Sequence, residues 1–197
     1  YAHRGYHDKP VIPENSLPAF RRAIERGFGA ELDVHLLKDG TLAVFHDSDL
    51  RRCANVGGEI EDLTLDELKQ LRLEGTDEQI PTFDEVLALF EHATPLIIEL
   101  KTARGNHKAL AKAVCERLDS YQGEFCIESF DPRMMAQPVP KRMKGMRLPI
   151  FVWLLSETEP KNGSRNSARI LSAAMIAPEN VSFMWKVFVR ISGTMLS

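Results

Sequence analysis

Apolar and polar positions along the chain form short apolar runs that alternate with stretches of helical spacing. The runs predict strands at residues 1–5, 29–37, 41–45, 96–101, 124–130 and 149–155. Helical spacing and helix-start signals predict helices at 17–26, after Thr64, after Thr82 and at 106–118. Strands that alternate with helices in this way indicate a parallel sheet covered by helices.

Short polar residues mark where several helices and one turn begin. The expected helix caps are Asn15 or Ser16, Thr64 with Glu67, Thr82 with Glu85, and Asn106. The Asp39-Gly40 pair predicts a turn, after which residues 41–45 run back antiparallel or continue onward to His46.

The composition of the 197-residue chain is that of an ordinary globular protein with one sizeable core. Its net charge of −3 and pI near 6.1 give no indication of a nucleic-acid partner or an anionic membrane. Three widely spaced cysteines form no disulfide framework, which favours a cytoplasmic location. No apolar stretch approaches the roughly 18 residues of a membrane span. The chain starts at Tyr1 inside a predicted strand, so we expect that the natural N-terminus is missing.

Four predicted strands carry ionisable side chains at or near their ends. These are His3 with Arg4, Glu31 with Asp33, His46 with Asp47, and Glu99 with Lys101. Because a buried charge is costly unless it is paired or binds a metal, we expect the four ends to share one polar site. Clustered carboxylates favour a hard cation with oxygen ligands, Mg²⁺ or Ca²⁺, over zinc. The alternative is that these acids form solvated surface ion pairs.

Two histidines at strand ends, His3 and His46, could exchange protons near neutral pH, as phosphodiester hydrolysis requires. The alternative is that each is a structural, hydrogen-bonded histidine. Arg4 and Lys101 could hold a phosphate, since Arg offers bidentate geometry and Lys a point charge. The remaining histidines are interpreted as loop or surface residues: His7, His35, His92 and His107.

Ordered motifs in the first two thirds of the chain resemble those of the glycerophosphodiester phosphodiesterase family. They are His3-Arg4-Gly5, Pro13-Glu14-Asn15-Ser16, Glu31-Leu32-Asp33-Val34, Asp39-Gly40, His46-Asp47, Glu99-Leu100-Lys101 and Ser129-Phe130-Asp131-Pro132. The resemblance implies a TIM (β/α)8 barrel of the α/β class that hydrolyses glycerophosphodiesters to an alcohol and glycerol 3-phosphate.

The same resemblance implies a role for each candidate residue. His3 and His46 become the general acid/base pair. The metal ligands become Glu31, Asp33 and Glu99, and the phosphate contacts become Arg4 and Lys101. Glu14 either supports the site or serves only as a helix-start residue.

The resemblance also implies a single barrel domain over residues 1–197, with an insertion at about 48–90 that covers the glycerol moiety. A barrel of this type typically needs about 250 residues, and only six or seven strands can be counted. Either strand–helix units are missing from this sequence, or the C-terminal half is irregular.

Two other functions stay open at the level of sequence. One is a related phospholipase D-type barrel that acts on sphingomyelin or lysophospholipids. Such proteins carry a disulfide near the second histidine, and Cys53 has no second cysteine nearby in the sequence with which to form it. The other is a non-catalytic barrel used for binding or assembly, which the weak C-terminal half suggests. The identity of the alcohol, the preferred cation and the oligomeric state are not encoded in any pattern found.

Overall fold

A computed structural model describes residues 1–137, 151–153 and 173–174 of the chain, and the predicted strand at 149–155 lies partly outside them. Its strands are β1 (Ala30–Leu36), β2 (Leu42–Val44), β3 (Leu96–Leu100), β4 (Phe125–Ser129), β5 (Phe151–Trp153) and β6 (Ala173–Ala174). Its helices are α1 (Leu17–Glu25), α2 (Arg51–Ala54), α3 (Leu65–Leu68), α4 (Phe83–Phe90) and α5 (His107–Leu118), with 3₁₀ turns at Ile60–Asp62 and Pro132–Ala136.

The strands form one sheet in the order β2-β1-β3-β4-β5-β6. Neighbours from β1 through β3 and β4 to β5 are parallel, which confirms the predicted parallel sheet with intervening helices. β2 returns antiparallel along β1, so the turn at Asp39-Gly40 closes a hairpin. β6 pairs antiparallel with β5, which departs from a strictly parallel barrel. The predicted first strand is reduced to one parallel bridge between Ala2 and Ala30.

Helix α1 begins at the Pro13–Ser16 motif. The Ser16 hydroxyl accepts a hydrogen bond from the backbone N–H of Ala19 at 3.3 Å and donates one to the Pro13 carbonyl at 2.7 Å. Ser16 is therefore the cap, and Asn15 is left for another role. The buried Phe20 and Ala23 face the sheet at helical spacing, as predicted.

Two hydrophobic clusters lie on opposite faces of β2. Leu42 and Val44 belong to the main cluster under the sheet, whereas Ala43 belongs to a second cluster. That second cluster also contains Leu50, Cys53, Ala54, Ile60, Leu68, Leu73 and Ile80. The buried side chains of helix α4 belong to the main cluster, although the helix lies inside the predicted insertion at 48–90. The segment between β2 and α4 thus has a small core of its own.

Both predicted capping boxes are confirmed. At the start of α4, the Thr82 hydroxyl accepts from the Glu85 backbone, and the Glu85 carboxylate accepts from the Thr82 N–H at 2.7 Å. The same reciprocal pattern joins Thr64 and Glu67 at α3. The prediction for Asn106 is wrong in one respect, because its side chain accepts from the Ala103 N–H at 2.9 Å and closes a turn instead.

Candidate active site

A row of carboxylates crosses the parallel strands at one level. The strand register pairs Asp33 of β1 with Glu99 of β3, and Glu99 with Glu128 of β4. Because paired residues of parallel strands point to the same side, their three carboxylates line one face of the sheet, and Glu31 lies on the same face two residues before Asp33. Asp33, Glu31 and Glu99 are buried, which rules out solvated surface ion pairs for these acids.

The turn at Arg4 and Gly5 brings the N-terminal segment onto this row. Arg4 has a φ of 56° and Gly5 a φ of 80°, and a Cβ atom at Gly5 would lie 2.8 Å from the Ala19 Cβ. In this conformation the Arg4 backbone N–H donates to Glu31 Oε2 at 2.9 Å. The left-handed turn therefore fixes one oxygen of the Glu31 carboxylate.

The carboxylate of Asp33 is held by three polar neighbours. Asn15 Nδ2 donates to Asp33 Oδ2 at 2.8 Å, and the Arg4 Nε atom lies 3.5 Å from that oxygen. Lys101 Nζ lies 2.9 Å from Asp33 Oδ1 and 2.6 Å from Glu99 Oε1. Burial alone would lower the pKa of Lys101, but the charges of Asp33 and Glu99 outweigh it and the pKa lies above its usual value.

The acidic cluster fits a divalent cation. Oxygens of Glu31, Glu99 and Glu128 lie within 4.8 Å of one another. Glu31 Oε1 is buried without a hydrogen-bond partner among the described residues. Burial and the neighbouring Asp33 and Glu99 raise the pKa of Glu31 to about 9, so this carboxylate lacks compensation that a cation would supply.

The predicted ligand set, Glu31, Asp33 and Glu99, stays a prediction. The structure brings all three together, but the cluster of mutually close oxygens includes Glu128 rather than Asp33. The reason is local, since Asp33 faces Asn15 and the cations of Arg4 and Lys101.

His46 follows β2 and lies beside Asp47. Its Nδ1 atom is 2.5 Å from Asp47 Oδ1. Burial raises the pKa of Asp47, but hydrogen bonds from Arg52 and His46 outweigh this effect and hold the pKa below its usual value. Because an ionised carboxylate only accepts, Nδ1 carries the proton and Nε2 of the neutral ring holds a lone pair. Burial lowers the pKa of His46, which favours this neutral form near pH 7.

His3 lies beside Glu31 in the same carboxylate cluster. Its Nε2 atom lies 3.7 Å from Glu31 Oε2, and 65% of its side chain is exposed. Burial and the charge of Arg4 lower the pKa of His3. The charge of Asp33 opposes this effect, and His46 adds to it. The two predicted histidines therefore share one electrostatic environment.

A cavity of about 480 Å³ opens beside His46. Its lining includes Glu99 and Lys101 from the end of β3, and Phe130 to Arg133 after β4. Lys101 Nζ also lies 5.9 Å from the centre of the Phe130 ring. The site is thus an open cavity, lined by both charged and apolar side chains, at the carboxyl ends of β3 and β4, where α/β proteins bind ligands.

The interpretation of His35 as a loop or surface residue is wrong. His35 is 1% exposed and lies on β1 in the same alternation as Glu31 and Asp33. Its Nδ1 atom is 2.6 Å from Glu61 Oε1, and its Nε2 atom is 3.2 Å from the His46 carbonyl oxygen. His7 and His92 are exposed as expected, and His107 is half-buried at the start of α5.

Three residues near the site were not assigned a role in it from the sequence. Glu128 repeats the pattern of Glu31 and Glu99, a carboxylate near the end of an apolar strand, so that pattern could have identified it. The position of Asn15 beside Asp33 depends on a φ of 53° and on tertiary packing. Arg52 lies in the polar segment after Asp47, and no sequence pattern around it indicates a role in the site.

Among the described residues, no helix is both long and apolar enough to cross a membrane. A largely parallel sheet with covering helices, whose histidines, carboxylates and basic side chains meet at one side, defines an α/β protein with an acidic, histidine-containing centre. The chain belongs to the glycerophosphoryl diester phosphodiesterase family, whose model matches residues 3–183. Solved members are TIM barrels, which confirms the predicted fold class.

Similar proteins agree with this assignment. A glycerophosphodiester phosphodiesterase of Caldanaerobacter subterraneus is 39% identical over 142 residues, which cover 66% of this chain and 57% of that protein. The human protein named lysophospholipase D GDPD1 is 34% identical over 124 residues, 56% of this chain and 38% of that protein. A phosphodiesterase of Oleispira antarctica, solved with the product sn-glycerol-3-phosphate, is 30% identical with a TM-score of 0.61, over 74% of this chain and 60% of that chain. The chain spans about half the length of the curated relatives it matches.

Proposed function

We propose that the chain hydrolyses glycerophosphodiesters to an alcohol and glycerol 3-phosphate with a divalent cation. The observation that carries this proposal is the placement of an Asp47-oriented His46 beside Lys101 and a compact carboxylate cluster. Proton transfer, positive charge and cation ligands are the elements that a metal-dependent phosphodiester hydrolysis uses.

Each part of the site has a proposed task. A cation, Mg²⁺ or Ca²⁺, held by Glu31 and Glu99 with Asp33 or Glu128 would polarise a phosphoryl oxygen. Arg4 and Lys101 both lie beside Asp33, so they place positive charge at the carboxylate row, which supports their assignment as contacts for a bound phosphate.

The two histidines divide the proton transfers. His46 accepts the proton of the nucleophile, either water or the neighbouring glycerol hydroxyl, at the lone pair of Nε2. His3 gives a proton to the departing alkoxide oxygen when the phosphorus–oxygen bond breaks. The contact of His46 Nδ1 with Asp47, which holds the ring proton on Nδ1 and leaves Nε2 as the acceptor, supports the assignment of His46 as the base.

The test is release of glycerol 3-phosphate from glycerophosphocholine with Mg²⁺, with Ca²⁺ and with EDTA. Release that EDTA stops and either cation restores supports the proposal. A folded protein that releases nothing under any of these conditions contradicts it and leaves a non-catalytic barrel.

A second candidate is hydrolysis of lysophospholipid headgroups, which the similarity to a protein named lysophospholipase D supports. Comparison of glycerophosphocholine with lysophosphatidylcholine at equal concentration separates the two. Preference for the acylated substrate would replace the first proposal with the second. A cytoplasmic location stays a prediction, which the absence of a membrane-spanning helix among the described residues does not decide.

A further inference from the structure

The side chain of Arg52 lies between two carboxylates that face different parts of the site. Its Nε atom donates to Asp47 Oδ2, and its terminal NH2 group donates to Glu14 Oε1 at 2.6 Å. A planar guanidinium offers several N–H donors in a fixed fork, so one side chain can hold two carboxylates at a set separation. Both carboxylates come from segments outside α2.

The position of Arg52 is fixed by the helix that carries it. Its neighbours Leu50, Cys53 and Ala54 are buried in the second hydrophobic cluster. Cys53 Sγ also donates to Glu14 Oε1 at 3.7 Å, which holds α2 against the Pro13–Ser16 motif. Although Arg52 is 43% exposed, its polar end is therefore presented from a packed helix.

On one side, Arg52 acts on the proposed base. Asp47 accepts from Arg52 at Oδ2 and from His46 Nδ1 at Oδ1, so the two contacts use different oxygens of one carboxylate. The carboxylate plane, and with it the direction of the bond to His46, is set by the Arg52 fork.

On the other side, Arg52 acts on a proposed phosphate contact. Glu14 Oε1 accepts from Arg52 and, at 3.1 Å, from Nη1 of Arg4. Lys9 Nζ lies 2.6 Å from Glu14 Oε2, and the Glu14 side chain is only 6% exposed. Three cations therefore hold one buried carboxylate, so Glu14 contacts Arg4, while Ser16 caps α1.

We propose that Arg52 is a positioning residue that aligns His46 through Asp47 and Arg4 through Glu14. This inference deepens the proposed function and rests on it for the reaction that Arg52 serves. It makes α2, in the segment between β2 and α4, a structural part of the active site and not only a cover over it.

The competing explanation is that Arg52 forms ordinary surface ion pairs. The chain offers a matched control for this, because Arg51 on the same helix pairs with Asp49 at 2.7 Å while 75% of the Arg51 side chain is exposed. Neither Arg51 nor Asp49 contacts the histidines or the carboxylate row in any hydrogen bond or ion pair that involves the described residues.

The first test does not depend on activity. In ¹⁵N-histidine-labelled protein without added metal, Arg52→Gln should shift the ring ¹⁵N resonances of His46 and mix its tautomers, because Asp47 is no longer held. Arg51→Gln should leave these resonances at their wild-type positions. Unchanged His46 resonances in R52Q, or equal changes in both variants, would overturn the proposal.

The second test separates turnover from binding of the substrate. With glycerophosphocholine and Mg²⁺, R52Q should lower kcat about 10- to 100-fold while KM changes about twofold at most, because misplaced groups cost turnover. Arg52→Lys keeps the charge but lacks the fork, so it should recover less than half of the lost kcat, and R51Q should match wild type. Full kcat in folded R52Q, checked by its circular dichroism and Tm, contradicts the proposal. An inactive wild-type protein would refute the proposed function instead, and the His46 resonances would still decide the role of Arg52.

Discussion

His46 Nδ1 lies 2.5 Å from Asp47 Oδ1, so the residue that follows the histidine in sequence also fixes its tautomer. Asp47→Asn replaces an acceptor-only carboxylate by an amide that can also donate to Nδ1. We expect kcat to fall about 100-fold or more, since the His46 tautomer with its lone pair on Nε2 is no longer favoured.

Steady-state kinetics of D47N measure this directly, with Asp49→Asn as the matched control on the exposed Arg51 pair. Wild-type kcat in D47N would show that Asp47 does not orient the base.

Cation binding should depend on Glu128, because its carboxylate lies within 4.8 Å of those of Glu31 and Glu99. Glu128→Gln should weaken Mg²⁺ or Ca²⁺ binding about 10-fold or more in isothermal titration calorimetry, since one charged ligand is lost. Glu124→Gln, at the exposed start of the same strand segment, is the control and should bind as wild type.

The same titration with Asp33→Asn shows which of the two acids completes the ligand set. Affinity that falls in D33N and is unaffected in E128Q would restore the ligand set expected from the sequence.

The capping box at α4 makes a prediction about stability. Thr82→Ala removes the hydroxyl that accepts from the Glu85 backbone and should lower the free energy of unfolding by about 1 kcal/mol. Thr82→Ser keeps that hydroxyl and should recover most of the loss. Urea denaturation followed by circular dichroism checks both variants, and equal stability of T82A and wild type would be evidence against the box.

Acid should destabilise the chain through Glu14. Burial raises the pKa of Glu14, but hydrogen bonds from Arg52 and Lys9 outweigh it and hold the pKa far below the ordinary 4.5. A carboxyl group whose pKa is lower in the folded than in the unfolded state stabilises the fold fully when the pH is above its pKa in the unfolded state. This stabilisation is lost as the pH falls below about 4.5 toward the pKa of the group in the folded state.

Unfolding free energies measured from pH 6 to pH 3 should therefore decline more steeply in wild type than in Glu14→Gln. The exposed Glu25→Gln variant should follow the wild-type curve. Parallel curves for wild type and E14Q would contradict the ionised state of Glu14.

Much of this architecture was predictable because its signals are local. The apolar runs around Glu31 and Glu99, and the Thr82 capping box, lie within a few consecutive residues and are readable from spacing alone. The parallel pairing of β1 with β3 follows from the strand–helix order, whereas the register that places Asp33 opposite Glu99 is seen only in the structure.

The remaining features depend on contacts between distant segments. His35 lies two residues after Asp33 in the predicted strand at 29–37, so the alternation of that strand could have placed it on the side of the site. Its partner Glu61 is 26 residues away and could not be identified from the sequence. Arg52 and Glu14 are 38 residues apart and meet only when α2 packs against the start of α1. Pairings of this kind are set by tertiary packing, for which one sequence carries no periodic signal.

The central claim is that His46 serves as the base of a cation-dependent phosphodiester hydrolysis. Its most direct test is the rate of glycerol 3-phosphate release from glycerophosphocholine by wild type and His46→Ala at saturating Mg²⁺ or Ca²⁺, alongside cation binding by calorimetry. We predict that H46A loses about 100-fold or more in turnover while its cation affinity stays within about twofold of wild type. Equal turnover in the two proteins, or release that continues undiminished in EDTA, would contradict the account.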